Sequence, residues 1–308
     1  MKIILLYGGR SAEHDVSLLS AFSVVNAVYY NYYQVQLVMI TRDGQWLKGS
    51  LLTEAPTSKE VLNLTDSAYQ GTPIQPGEIK EEDAIVFPLL HGPNGEDGTI
   101  QGFLETIGMP YVGAGVLTSA CGMDKIMTKY ILQAAGIPQV PYVPVLKNYW
   151  KENPKKVFEQ CEGSLLYPMF IKPANMGSSV GITKAENREE LQNALQEAYR
   201  YDTRAIVEQG IEAREIEVAV LGNEDVRTTM PGEIVKDVAF YDYNSKYLDN
   251  KIEMQIPAQI PEETQAKAQE FAKKAYTMLG GSGLSRCDFF LTNKNELFLN
   301  ELNTIPAL

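Results

Sequence analysis

Two carboxylates near the C-terminus, Asp288 and Glu301, sit in a pattern that brings them together. The strand-forming runs Phe289–Thr292 and Leu297–Leu299 flank a polar turn of Asn293, Lys294, Asn295 and Glu296, which reads as a β-hairpin. A four-residue loop sets Asp288 directly opposite Glu301, with Cβ atoms about 5 Å apart. Asn303, two residues further on, then points to the same face. At an effective dielectric near 20, two carboxylates at that spacing repel by roughly 3 kcal/mol. A divalent cation turns the repulsion into binding, and three oxygen donors suit Mg²⁺, which keeps waters and a phosphate as its other ligands. The alternative is a solvated hairpin whose acids face water.

A second group points to a phosphate. Lys172 ends the strand Met169–Lys172 and opens the small, flexible loop 173–181, with Gly177, Ser178, Ser179 and Gly181. Such a loop lets backbone N–H groups approach an anion while the lysine adds a point charge. It is not a Walker A loop, because the lysine precedes the glycines. With Arg286 two residues before Asp288, these groups form a set suited to phosphoryl transfer. Three further segments are open to two readings. The turn Gly8-Gly9-Arg10-Ser11-Ala12-Glu13 either holds a substrate amine through Glu13 or caps a helix through Ser11. His91, before a glycine-rich acidic loop, is either chemical or a structural hydrogen bonder. The aromatic segment Phe240–Tyr247 is either a lid over a site or a surface loop.

The elements that must position these residues follow from pattern. The strand Lys2–Tyr7, a helix from Val16 to Tyr29, the strand Gln34–Ile40 and the strand Ala84–Leu90 alternate as in a parallel sheet, whose ligands bind at strand C-termini. Residues 54–83 read as a surface excursion. A helix over Ser119–Ala135 leads through an extended connector, Pro138–Pro144, to a helix Arg188–Tyr199 and a strand Ala205–Glu208. Strands Glu215–Leu221 and Glu233–Val238 precede the helix Glu262–Leu279, whose expected buried stripe is Ala268, Phe271, Ala272, Ala275, Met278 and Leu279. At 308 residues, α/β followed by α+β, the chain divides into three domains: 1–113, 114–208 and 209–308. A net charge of −12 argues against a nucleic-acid surface. No apolar stretch approaches the ~18 residues of a membrane span. Three scattered cysteines, Cys121, Cys161 and Cys287, form neither a metal nor a disulfide framework, so a reducing cytoplasm is expected. The glycine spacing after the first strand is not a dinucleotide fingerprint, which makes a nicotinamide dehydrogenase remote.

Taken in order, these motifs resemble the D-alanine–D-alanine ligase family of the ATP-grasp superfamily. The resemblance runs nearly end to end. It rests on Gly8 to Glu13, His91-Gly92 with Gly95 to Thr99, Met123-Asp124-Lys125, Lys172-Pro173 with Gly177 to Gly181, and Glu208. It continues through Tyr241 to Tyr247, Arg286 with Asp288, and Asn300-Glu301 with Asn303-Thr304. It implies a three-domain ATP-grasp architecture with an N-terminal parallel-sheet domain. It also implies formation of D-alanyl-D-alanine through a D-alanyl phosphate, for peptidoglycan synthesis. The family alternatives are a D-alanine–D-serine or D-alanine–D-lactate ligase, or an impaired nucleotide-binding homologue. Tyr247, the lid position that differs in ligases accepting D-lactate, favours D-alanine as acceptor.

Carried over residue by residue, the resemblance assigns Lys125 and Lys172 to the ATP phosphates, with Lys246 approaching them from the loop, Glu208 and Glu215 at the adenosine end, and Ser179 and Phe240 also at the nucleotide. Asp288, Glu301 and Asn303 would hold two Mg²⁺ or Mn²⁺ ions. Arg286 would stabilise the tetrahedral oxyanion. Glu13 would hold the first D-alanine's ammonium and His91 would lie near its carboxylate. Glu13, Ser178 and Tyr247 would fasten the lid. A homodimer without membrane or nucleic-acid partners is expected. The family pattern continues past Pro306 into a tail that helps hold the second D-alanine's carboxylate; the expectation here is a sequence that continues past Leu308.

Overall fold

A computed structural model describes residues 1–177, 180–235 and 253–307. They form two compact units, one of residues 1–120, 280–285 and 304–307, the other of the described residues within 121–279 together with 286–303.

The first unit is built on β1 (Lys2–Gly8), β2 (Gln34–Ile40), β3 (Trp46–Leu52), β4 (Thr72–Ile74) and β5 (Ala84–Leu89), in the spatial order β4-β3-β2-β1-β5. β1 runs parallel to β2 and to β5, as the alternating pattern implies, while β3 and β4 add an antiparallel arm. The arm corrects the expectation that 54–83 is only a surface excursion: Leu62 and Leu64 are buried in the core there. The sequence hides it because β3 buries one residue, Leu47, and alternates poorly. β1 is apolar throughout because both its faces are covered. Leu5 and Tyr7 join one cluster with Ala21 and Val25 of α1 (His14–Ala27), and Ile4 and Leu6 join another with Ile100 and Leu104 of α2 (Thr99–Ile107).

The second unit carries two sheets. β6 (Tyr142–Leu146), β7 (Met169–Pro173), β8 (Thr183–Ala185) and β9 (Arg204–Gln209) are antiparallel, in the order β6-β9-β7-β8. The expected connector 138–144 thus runs into a strand. Val143, Val145, Met169, Ile171, Ala205 and Val207 of this sheet form one core with α5 (Lys147–Glu152), α6 (Pro154–Ser164) and α7 (Arg188–Ala198). The expected helix 119–135 is two helices, α3 (Val116–Met123) and α4 (Lys125–Ala134). Asp124 breaks it: its carboxylate accepts from the backbone N–H groups of Ile126 and Met127, the N-cap geometry that aspartate favours. Ile126 of α4 packs with Ile206 and Ala174, on the face of β9 opposite Val207.

The second sheet runs β13 (Glu253–Gln255), β12 (Gly232–Val235), β10 (Arg214–Leu221), β14 (Leu284–Leu291), β15 (Leu297–Asn303), with β11 (Arg227–Thr228) on β10. Its apolar face packs on α8 (Glu262–Met278) through Ala268, Ala272, Ala275 and Tyr276. Met278 departs from the expected stripe and is 52% exposed, because it lies off the line set by Ala268, Ala272 and Ala275.

Candidate active site

The hairpin β14–β15 delivers the acids by a route the sequence does not show. Leu291 pairs with Leu297, so the loop holds five residues, Thr292–Glu296, one more than expected. Continued unchanged, that register would place Glu301 opposite Cys287, on the apolar face. A bulge at Asn300 shifts the pairing after Phe289–Leu299 and restores Asp288 opposite Glu301 and Arg286 opposite Asn303. Cys287, Phe289, Leu299 and Leu302 therefore enter the core, and the four polar side chains share the other face.

On that face Arg286 grips Asp288 with both prongs, Nε to Oδ1 at 2.7 Å and Nη2 to Oδ2 at 2.8 Å. Asn303 Nδ2 donates to the same Oδ2 at 2.9 Å. Glu217 Oε1, on neighbouring β10, lies 3.2 Å from Arg286 Nε. Burial works against the guanidinium charge, but Asp288, Glu217 and Glu301 outweigh it and push the Arg286 pKa above its usual value. The sequence reading omitted Glu217. Its signal is the period of two in β10, where Glu215 and Glu217 alternate with buried Ile216 and Val218.

The lysines meet on the four-stranded sheet. Lys172 of β7 and Glu208 of β9 project from the same face and form an ion pair. The other Glu208 oxygen, Oε1, lies 2.8 Å from Nζ of Lys129, a second omission, which sits one helical turn after Lys125 on α4. Burial alone would raise the Glu208 pKa; the two lysines overcome it and hold it at about 2. For Lys172 burial is likewise opposed by Glu208, and then by Glu301 and Glu215, and the net shift is upward. Lys125 opens α4, with its backbone N–H on the Ala174 carbonyl at 2.9 Å and its amine on the Met176 carbonyl at 2.5 Å. Burial lowers its pKa, with Glu301 the main opposing charge. Glu301 is thus among the charges that act on both lysines. A lysine at a helix N-terminus, where N–H groups already carry partial positive charge, is poised for an anion.

In the first unit, Glu13 caps α1 by position without a side-chain cap bond. Ser11 is not the N-cap: its hydroxyl accepts from the Glu13 N–H at 3.1 Å and donates to the His91 carbonyl at 2.7 Å, tying turn to loop. Gly92 (φ +74°) lies so close that a Cβ there would fall 2.2 Å from Glu13 Oε2. His91 is buried and both ring nitrogens are engaged. Nδ1 donates to the Ile305 carbonyl at 3.1 Å, and Nε2 accepts from the Ser20 hydroxyl at 2.9 Å. The candidates Ser178, Ser179, Phe240, Lys246 and Tyr247 lie outside the described residues.

A family profile for the D-ala D-ala ligase N-terminus matches residues 2–114, and one for the D-ala D-ala ligase C-terminus matches residues 131–308. The chain belongs to the D-alanine–D-alanine ligase family. Among its relatives, the D-alanine–D-alanine ligase of Enterococcus hirae is 80% identical, the alignment covering 100% of this chain and 88% of that protein. The Enterococcus faecalis D-alanine–D-alanine ligase is 75% identical, covering 100% and 90%. The crystal structure of a D-Ala:D-Ser ligase from Enterococcus faecalis superposes with a TM-score of 0.82 at 35% identity, covering 99% of this chain and 90% of that one. The fold is accordingly that of an ATP-dependent ligase, with a mixed, centrally parallel N-terminal sheet and two antiparallel sheets. Among the described residues no three acidic, histidine or cysteine side chains gather into a metal cage, and no helix is long and apolar enough to cross a membrane. The donor set here is two carboxylates and an amide. Oxygen-only donors so few in number fit a hard cation that also takes phosphate oxygens and waters.

Proposed function

We propose that this chain joins two D-alanines to D-alanyl-D-alanine, converting ATP to ADP and phosphate, for peptidoglycan synthesis. The observation that carries this reading is the shared polar face of Arg286, Asp288, Glu301 and Asn303 on the hairpin, with the charge of Glu301 acting on both Lys125 and Lys172. Phosphoryl transfer needs such an arrangement, because catalysis there is mostly positioning and charge stabilisation. Lys125, Lys172 and the loop residue Ser179 bind the ATP phosphates, with Lys246 approaching them. Glu208, Glu215 and Phe240 serve the nucleotide. Asp288, Glu301 and Asn303 hold two Mg²⁺ or Mn²⁺ ions, which when bound neutralise charge on the moving phosphoryl group.

A carboxylate oxygen of the first D-alanine attacks the γ-phosphorus as the bond to the ADP oxygen breaks. The amine of the second D-alanine then attacks the acyl carbon, and phosphate leaves as the amide forms and the amine gives up a proton. Arg286 stabilises the tetrahedral oxyanion. Asp288 holds its Nε and Nη2 and so fixes the plane of the guanidinium. Glu13 binds the first D-alanine's ammonium. His91, its ring tied to Ser20 and Ile305, positions the loop for the substrate carboxylate. Ser178 and Tyr247 complete a lid with Glu13, excluding water from an acyl phosphate that water would destroy. We place the reaction in the cytoplasm, where ATP is made and the chain's three cysteines stay as free thiols. On the family resemblance we take the chain to be a homodimer, and a single-chain mass in sedimentation would overturn that.

The test is phosphate release with and without D-alanine, alongside product analysis with D-alanine, D-serine and D-lactate as acceptors. Release that depends on D-alanine and yields D-alanyl-D-alanine supports the reading. Robust depsipeptide at neutral pH, or release indifferent to D-alanine, sinks it. A pocket shaped for a methyl group rejects one added hydroxyl only weakly, so some D-alanyl-D-serine is compatible with it.

A further inference from the structure

Lys129 is a fully buried lysine on α4 to which neither the sequence reading nor the proposed reaction gives a role. Its amine has two described neighbours: Glu208 Oε1 at 2.8 Å and the face of the Tyr142 ring, whose centroid is 5.2 Å away. Its backbone carbonyl accepts from Gln139 Nε2 at 3.0 Å, fixing the turn that carries it. Glu208 is therefore shared, one oxygen to Lys129 and the other to Lys172. A buried Lys172–Glu208 pair would need no third partner to be electrically neutral. Burying an extra ammonium costs several kcal/mol unless its charge is used.

We infer that Lys129 is a positioning residue for ATP: it neutralises Glu208, so that the ammonium of Lys172 keeps its positive charge uncompensated toward an incoming polyphosphate. Glu208 then orients Lys172 without cancelling it. This rests on the ATP reading above. Counting Lys125, Lys129, Lys172 and Glu208, the group carries a net charge of +2, and would carry +1 without Lys129. Lys129 meets no substrate in this account; it acts through Glu208 alone.

The test is ATP binding by calorimetry, with thermal melting of each variant, on the full chain. Lys129→Met is expected to raise the ATP dissociation constant at least tenfold while kcat at saturating ATP changes little. Adding Glu208→Gln to Lys129→Met removes one negative charge along with the positive one, and is expected to bind ATP more tightly than Lys129→Met, though short of wild type because Glu208 also serves the nucleotide and orients Lys172. Lys129→Arg, which keeps the charge, is expected to retain affinity. If Lys129 only holds the fold together, the double variant melts lower than Lys129→Met and regains no affinity. If Lys129 touches phosphate directly, the double variant melts well and regains no affinity. Either result overturns the inference, as does a Lys129→Met protein that binds ATP like wild type. A wild-type chain that binds no ATP would instead refute the ligase reading itself, and the two failures are thereby distinguished.

Discussion

Replacing Glu208 by glutamine should expose how strongly the buried lysines depend on it. The side chain keeps its shape and loses its charge, leaving Lys129 and Lys172 side by side with no carboxylate between them. In the folded protein the Glu208 pKa falls from 4.5 to about 2. At about 1.4 kcal/mol per pH unit, its ionised form contributes roughly 3 kcal/mol to the fold at pH 7. That agrees with the ~3–5 kcal/mol measured when one partner of a buried pair is removed. The folded state binds this proton more weakly than the unfolded chain does. The contribution is therefore complete above about pH 4.5, and it is lost as pH falls through about 2. Urea unfolding of wild type and Glu208→Gln should thus differ by roughly 3 kcal/mol at pH 7 and by less than about half of that at pH 3. A difference below about 1 kcal/mol at neutral pH, or a gap that stays constant on acidification, would refute the reasoning.

Three further outcomes follow from the geometry. Asp288→Asn and Glu301→Gln should each lower D-alanine-dependent phosphate release by about a hundredfold or more, as loss of a preorganised transition-state contact does; turnover at wild-type level would mean the metal assignment is wrong. Gly95→Ala would set a Cβ 2.0 Å from the Leu90 carbonyl oxygen, a backbone clash with no flexible atom to yield. A melting temperature lower by several degrees is expected, and an unchanged melt would show that the loop relaxes freely. Glu13→Gln should raise KM for D-alanine more than tenfold while leaving ATP affinity within a factor of about two; an equal loss of both would place Glu13 outside the amine site.

The sequence determined much of this on its own. The two strand-forming runs, with an assumed four-residue loop, set Asp288 opposite Glu301 and Asn303 on the same face, a pairing the structure reaches by a five-residue loop and a bulge. The alternation of strands with helices marked a parallel sheet built on β1, β2 and β5, and the order of motifs named the family. What the sequence left open are the contacts made by residues far apart in it. The bulge at Asn300 carries no residue-type signal, yet without it Glu301 would pair opposite Cys287. Lys129 and Glu217 look like ordinary charged residues of a helix and a strand. Only when α4 lies against β9, and β10 beside β14, do they become partners of Glu208 and Arg286. Local sequence sets which way a side chain points along its own element. The charge it meets, and therefore its pKa and its use, is decided by the element packed against it.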